Sequence, residues 1–172
     1  GIMIEVPSTL WILDDLLAEV DFISVGTNDL VQYLLAVDRD NVFVSGLYEP
    51  MHPAVIRALG EIGSAARRAG KSVCVCGEIA GDEAVAVLLA GMGYDSLSVA
   101  PNFLSGLKCA IRAISHSEAQ TLAEGAVKAT SAADVKLLLE GMRERLSSAI
   151  AESDPADGTK TPTDTVLPPY PN

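Results

Sequence analysis

Positive charge is scarce in this chain. Among 172 residues, 12 Lys and Arg stand against 23 Asp and Glu, for a formal net charge of −11. That balance argues against nucleic acid as the principal partner, because phosphate backbones are bound by stripes of Lys and Arg. Here the cations are scattered, with Arg67–Arg68 the single adjacent pair. Long apolar runs are also missing: none approaches the ~20 residues that cross a bilayer, so no membrane insertion is expected. The apolar start has no basic leader and no small-residue cleavage site, so no secretory signal is legible. Cysteine is sparse. Cys74, Cys76 and Cys109 are odd in number and lack CxxC spacing, which points away from a disulfide scaffold or structural zinc and toward a reducing cytoplasm. There is no Ser/His/Asp set, P-loop or GxGxxG. The two histidines, His52 and His116, both fall in helix-start sequences, where structural roles are expected.

What is present is an apolar half: 49% of the residues are hydrophobic, enough for one domain with a sizeable core. Four times, a short apolar run meets a polar residue and Gly or Pro, and a helical pattern follows. The strands are expected at Ile2–Val6, Phe22–Val25, Ser72–Val75 and Ser96–Val99. Helices follow from Pro7 to Val20, from Asn28, over His52–Gly70, over Asp82–Gly91 and over Phe103–Ile114. Such βα alternation implies parallel pairing and right-handed crossovers. Four βα units make half of a (β/α)8 TIM barrel, and a half-barrel alone leaves two open edges and an expected apolar inner face. The chain also opens on Gly1 inside a strand pattern, and reads as a fragment. Two helices are then expected, one with capping-box spacing at Ser115–Glu118 and one capped by Ser131 and ending near Ala151. The domain is read as residues 1–151. The Asp-, Thr- and Pro-rich stretch 152–172 reads as a disordered tail.

Candidate chemistry clusters at the strand ends, where α/β enzymes place their sites. Glu5 ends an otherwise apolar strand, where a carboxylate needs a metal or a cation, or is a salt-bridged rim acid. Asn28 and Asp29 follow Gly26-Thr27 where a strand passes into a helix. Two carboxylates there suit Mg²⁺, although Asp29 also reads as an ordinary first-turn acid. Arg39 lies between Asp38 and Asp40, either paired with a neighbour or offering a planar guanidinium to a phosphate. Cys76 is broken from its strand by Gly77 and can move a proton at carbon. Cys74, Cys109 and Trp11 are expected to be packing residues.

Taken together, MIEVPS, VGTNDLVQYLLAVDR and CGEIAGD closely resemble the C-terminal half of the phosphoenolpyruvate-binding domain of the Enzyme I family, the phosphoenolpyruvate–protein phosphotransferases of the bacterial sugar phosphotransferase system. The resemblance runs from Gly1 to about Leu146. Tyr48 through Val55, with Ala84–Leu89 and Asp95–Ser98, looks most like the nitrogen-branch paralogue. Pyruvate phosphate dikinase and phosphoenolpyruvate synthase share the scheme, and a non-catalytic dimerisation module is a further alternative. The resemblance implies a dimerising TIM barrel with Glu5 and Asp29 as Mg²⁺ ligands. It implies that Asn28, Asp29 and Arg39 bind phosphoenolpyruvate and that Cys76 protonates the enolate to pyruvate. It also implies an acceptor histidine in a separate N-terminal domain, which passes the phosphoryl group to a histidine-containing phosphocarrier protein.

Overall fold

Four short strands pair in parallel in a computed structural model that describes residues 1–153. They are β1 (Ile2–Ile4), β2 (Phe22–Gly26), β3 (Ser72–Cys76) and β4 (Ser96–Ser98), hydrogen-bonded in the order β1-β2-β3-β4. The helices are α1 (Leu13–Glu19), α2 (Thr27–Leu35), α3 (Pro53–Ala69), α4 (Glu83–Met92), α5 (Leu104–Ala113), α6 (His116–Lys128) and α7 (Ala132–Ser153). The βα alternation expected from the sequence is present. The stretch expected to be a disordered tail lies outside the described residues from residue 154 onward.

The largest boundary shifts fall in the first strand and helix. β1 ends at Ile4, not Val6, because the chain turns at Pro7 into a 3-10 helix, Pro7–Ile12. The Thr9 hydroxyl donates to the Val6 carbonyl at 2.7 Å and tightens that turn. The α-helix therefore starts only at Leu13. Trp11, expected to pack, rides on this 3-10 segment and is 79% exposed.

Strand alternation divides the sheet into two unlike faces. On one face Ile4, Ile23, Val25, Val73 and Val75 are each at most 1% exposed. They pack with Ile56, Leu59 and Ile62 of α3 and Leu88 and Leu89 of α4 in one core cluster. Each such side chain contributes about 1.5–3 kcal/mol of burial. The other face carries Met3, Phe22, Ser24, Cys74, Cys76, Ser96 and Ser98, all exposed or half-buried. The expected apolar inner face is thus largely hydroxyl and thiol. Cys74, expected in the core, belongs to this open face, and Cys109, likewise expected to pack, is exposed on α5.

The helix ends follow local chemistry. His52 caps α3, its Nδ1 accepting the Ala54 N–H at 3.1 Å, with Pro53 in the first turn and Gly70 left-handed beyond the last. Asp82 caps α4 by accepting from Ala84 and Val85. Ser115 and Glu118 form the expected capping box of α6, and Ser131 and Asp134 exchange the same pair of bonds at α7. The Ser115 and Ser131 hydroxyls hold the Glu118 and Asp134 carboxyls below the usual carboxylate range. A lowered folded-state pKa adds stability above the unfolded value and loses it as pH falls through the folded value. Acidification through and below that range should therefore lower the amide protection factors, taken against the intrinsic exchange rate at each pH, at Glu118 and Asp134 before that at Ala66 of α3, as followed by nuclear magnetic resonance.

Candidate functional site at the strand ends

The parallel register aligns side chains in rows across the open face. Met3, Ser24, Cys74 and Ser96 form one row, and Gly26, Cys76 and Ser98 form the next toward the strand ends. Glu5 extends that second row just past β1. Its Oε2 lies 2.8 Å from where a Cβ on Gly26 would stand, so glycine leaves the space the carboxylate occupies. Glu5 and Cys76 therefore flank Gly26 at one rim of the sheet.

Cys76 is fixed from three directions. Its Sγ donates to the Val25 carbonyl at 3.4 Å and accepts from the Ser24 hydroxyl at 3.5 Å. The Thr27 hydroxyl donates to the Cys76 carbonyl at 3.2 Å. Gly77 then turns the chain at φ +135°, and a Cβ there would stand 2.0 Å from Thr27 Oγ1. Gly77→Ala combines a forbidden backbone region with a collision. It should lower stability by about 1–3 kcal/mol, seen as a lower denaturant midpoint at constant slope.

Asn28 is the hub of the rim. Its Oδ1 accepts the Glu78 N–H at 3.2 Å, and its backbone carbonyl accepts the Tyr48 hydroxyl at 3.3 Å. Because a backbone N–H can only donate, Oδ1 is assigned, and the amide NH₂ is left as the donor. Arg39 places Nη1 3.8 Å from Glu78 Oε1, with the two side chains 36% and 86% exposed. An exposed pair at that distance contributes about 0–1 kcal/mol, so an incoming anion can displace it. Burial pushes the Tyr48 hydroxyl up, with Arg39 opposing and Glu78 and Asp29 adding to the rise. Tyr48 thus stays a donor through the neutral range and lies within electrostatic reach of Asp29, Arg39 and Glu78.

A cleft of about 330 Å³ opens here, lined by Asn28, Cys76, Gly77, Glu78, Ser98 and Phe103 among others. Asn28 and Cys76 line it directly; Glu5, Asp29 and Arg39 are outside its walls. Among the described residues neither Glu5 nor Asp29 forms a salt bridge, and no group of three or more His, Cys, Asp or Glu is gathered to hold a metal. Two unpaired carboxylates suit a hard cation that keeps several waters, as Mg²⁺ does. His116 lines a separate cleft with Ala90 and Ile111, and His52 is committed to its cap.

Sequence reasoning missed Ser24, Thr27, Tyr48 and Glu78. Glu78 could have been found, since it follows Gly77 at a strand end. Tyr48 gave no local signal, because its contact with Asn28 spans 20 residues of irregular chain.

The sequence profile described as "PEP-utilising enzyme, PEP-binding domain" matches residues 1–116, where PEP is phosphoenolpyruvate. The chain belongs to this family. Within the PEP-utilising enzymes it is 43% identical over 145 residues to a Salmonella typhimurium protein named "Phosphoenolpyruvate-dependent phosphotransferase system", covering 84% of the chain and 19% of that protein. It is 44% identical over 140 residues to a Haemophilus influenzae "Phosphoenolpyruvate-protein phosphotransferase", covering 81% and 24%. Against an Escherichia coli "Multiphosphoryl transfer protein 1" the identity is 42% over 139 residues, covering 81% and 17%. The chain therefore spans about a fifth of the length of these curated relatives. No helix among the described residues is long and apolar enough to cross a membrane.

Proposed function

We propose that the chain is the C-terminal half of a (β/α)8 PEP-binding barrel and serves a cytoplasmic PEP–protein phosphotransferase. The observation that carries this reading is the row Glu5, Gly26, Cys76 and Ser98 at the strand ends, with Asn28 and Asp29 opening α2 beside it. Pyruvate is formed when the bond from phosphorus to the enol oxygen breaks and a new bond forms to an acceptor histidine nitrogen. The enol oxygen keeps the electron pair, and the Cys76 S–H gives its proton to the methylene carbon. The resulting thiolate receives the Ser24 hydroxyl's hydrogen bond until a proton from water restores it. The Asn28 NH₂ and the Arg39 guanidinium hold the substrate's anionic groups, Arg39 exchanging Glu78 for a phosphoryl oxygen. Glu5 and Asp29 would hold Mg²⁺, which when bound offsets negative charge on the substrate oxygens.

The acceptor histidine and the other barrel strands belong, in this reading, to another part of the protein. A homodimer and a histidine-containing phosphocarrier protein that takes the phosphoryl group onward complete it. The open β1 and β4 edges among the described residues support a barrel completed by further strands. So does the placement of both histidines away from the cleft.

The test uses Mg²⁺ and phosphorus-labelled PEP. The 172-residue chain alone should gain no acid-labile, base-stable phosphohistidine. The same chain within a protein carrying the acceptor domain should gain it in step with pyruvate release. Stoichiometric label on His52 or His116 in a soluble monomer would overturn the proposal.

A further inference from the structure

Lys136 and Arg143 stand seven residues apart on α7, two helical turns and roughly 10 Å along its axis. They flank the stripe Val135, Leu139, Met142 and Leu146, which fixes α7 against the core. Each of the two cations reaches a different loop of the candidate site. Lys136 Nζ donates to Glu49 Oε2, and Glu49 Oε1 accepts the Met51 N–H at 3.0 Å, shaping the turn directly after Tyr48. Arg143 Nη2 donates to Asp82 Oδ2 at 2.8 Å, at the close of the loop that starts with Gly77 and Glu78. The bond to Asp82 is the largest cause of the raised Arg143 pKa. A continuous path thus runs from α7 through Glu49 and Tyr48 to the Asn28 carbonyl.

We propose that α7 is a strap for the PEP site, in which Lys136 and Arg143 are positioning residues for the two rim loops, acting through Glu49–Tyr48 and through Asp82. Neither touches the cleft, and the proposal rests on the reading of that cleft as the PEP site. Losing one tie frees a loop that must be ordered again when substrate binds, so affinity falls while the proton-transfer step is spared.

The experiment measures PEP binding by calorimetry, and kcat and KM for pyruvate release, in the full protein. Lys136→Met should weaken PEP binding and raise KM about threefold to tenfold, with kcat and melting temperature held. Arg143→Met should do the same. Lys136→Arg, which keeps a cationic donor for Glu49 Oε2 and leaves the Met51 bond to Glu49 intact, should keep the affinity that Lys136→Met loses. Unchanged PEP affinity in both Met variants, or a Lys136→Arg protein no better than Lys136→Met, would overturn the strap and leave the PEP site standing. An unaltered protein that fails to bind PEP would overturn the reading of the site and the strap with it.

Discussion

Cys76→Ala should bind PEP almost as tightly as the unaltered protein and release pyruvate about 10²- to 10⁴-fold more slowly, the usual worth of a positioned general acid. The loss belongs to the barrier, not to the ground state, because among the described residues alanine removes two hydrogen bonds of Sγ, to Ser24 and to Val25, and neither is to substrate. The Ser24 hydroxyl stands on the half-open face of the sheet, where water can replace the thiol as its partner. Stopped-flow pyruvate detection beside calorimetric PEP binding separates the two quantities. Cys109→Ala should be silent, since that residue is exposed on α5. Cys74→Ala is the sharper control, because Cys74 stands on the same face one row farther from the strand ends. A folded Cys74→Ala protein as slow as Cys76→Ala would move the proton donor to the lower row and sink the assignment of Cys76.

Asp29→Ala should abolish metal-dependent turnover with little change in folding. Its carboxylate opens α2, where a first-turn acid contributes about 0.3–1 kcal/mol to the helix. Among the described residues no ion pair is broken when it goes. The measurement is a Mn²⁺ titration followed by electron paramagnetic resonance, with thermal unfolding alongside. Turnover lost together with Mn²⁺ affinity supports the pairing of Asp29 with Glu5. Unchanged Mn²⁺ affinity would remove Asp29 from the metal site and leave it as a helix-start acid.

The alternation of strands and helices was readable because each unit is written locally. An apolar run, a glycine or proline and a cap suffice for β2 into α2, and for His52-Pro53 into α3. Strand-end residues were readable for the same reason: Asn28, Asp29 and Cys76 sit where one periodicity gives way to another. The rest of the site depends on long-range packing that no window contains. Tyr48 reaches Asn28, and Glu78 reaches both Asn28 and Arg39, only after loops far apart in sequence converge. Trp11 is exposed despite its hydrophobicity because Pro7 opens a 3-10 turn, which replaces the helical period that would have packed it. The polar front of the sheet is, by contrast, written in the strands themselves. Ser24, Ser96 and Ser98 were in plain view, and alternation from the buried Val25 and Val73 already sets them on the opposite face.

That two-faced sheet has a consequence for how the protein can vary. Along each strand, neighbouring residues answer to different demands: Ile23, Val25, Val73 and Val75 to the helices behind them, and Ser24, Cys74 and Cys76 to whatever occupies the rim in front. Abundance and turnover are therefore separable along the chain with a period of two. A change at one position alters how much protein survives in a cell, and a change at the next alters what the surviving protein does. New chemistry can be explored on the front of the sheet without unsettling its back.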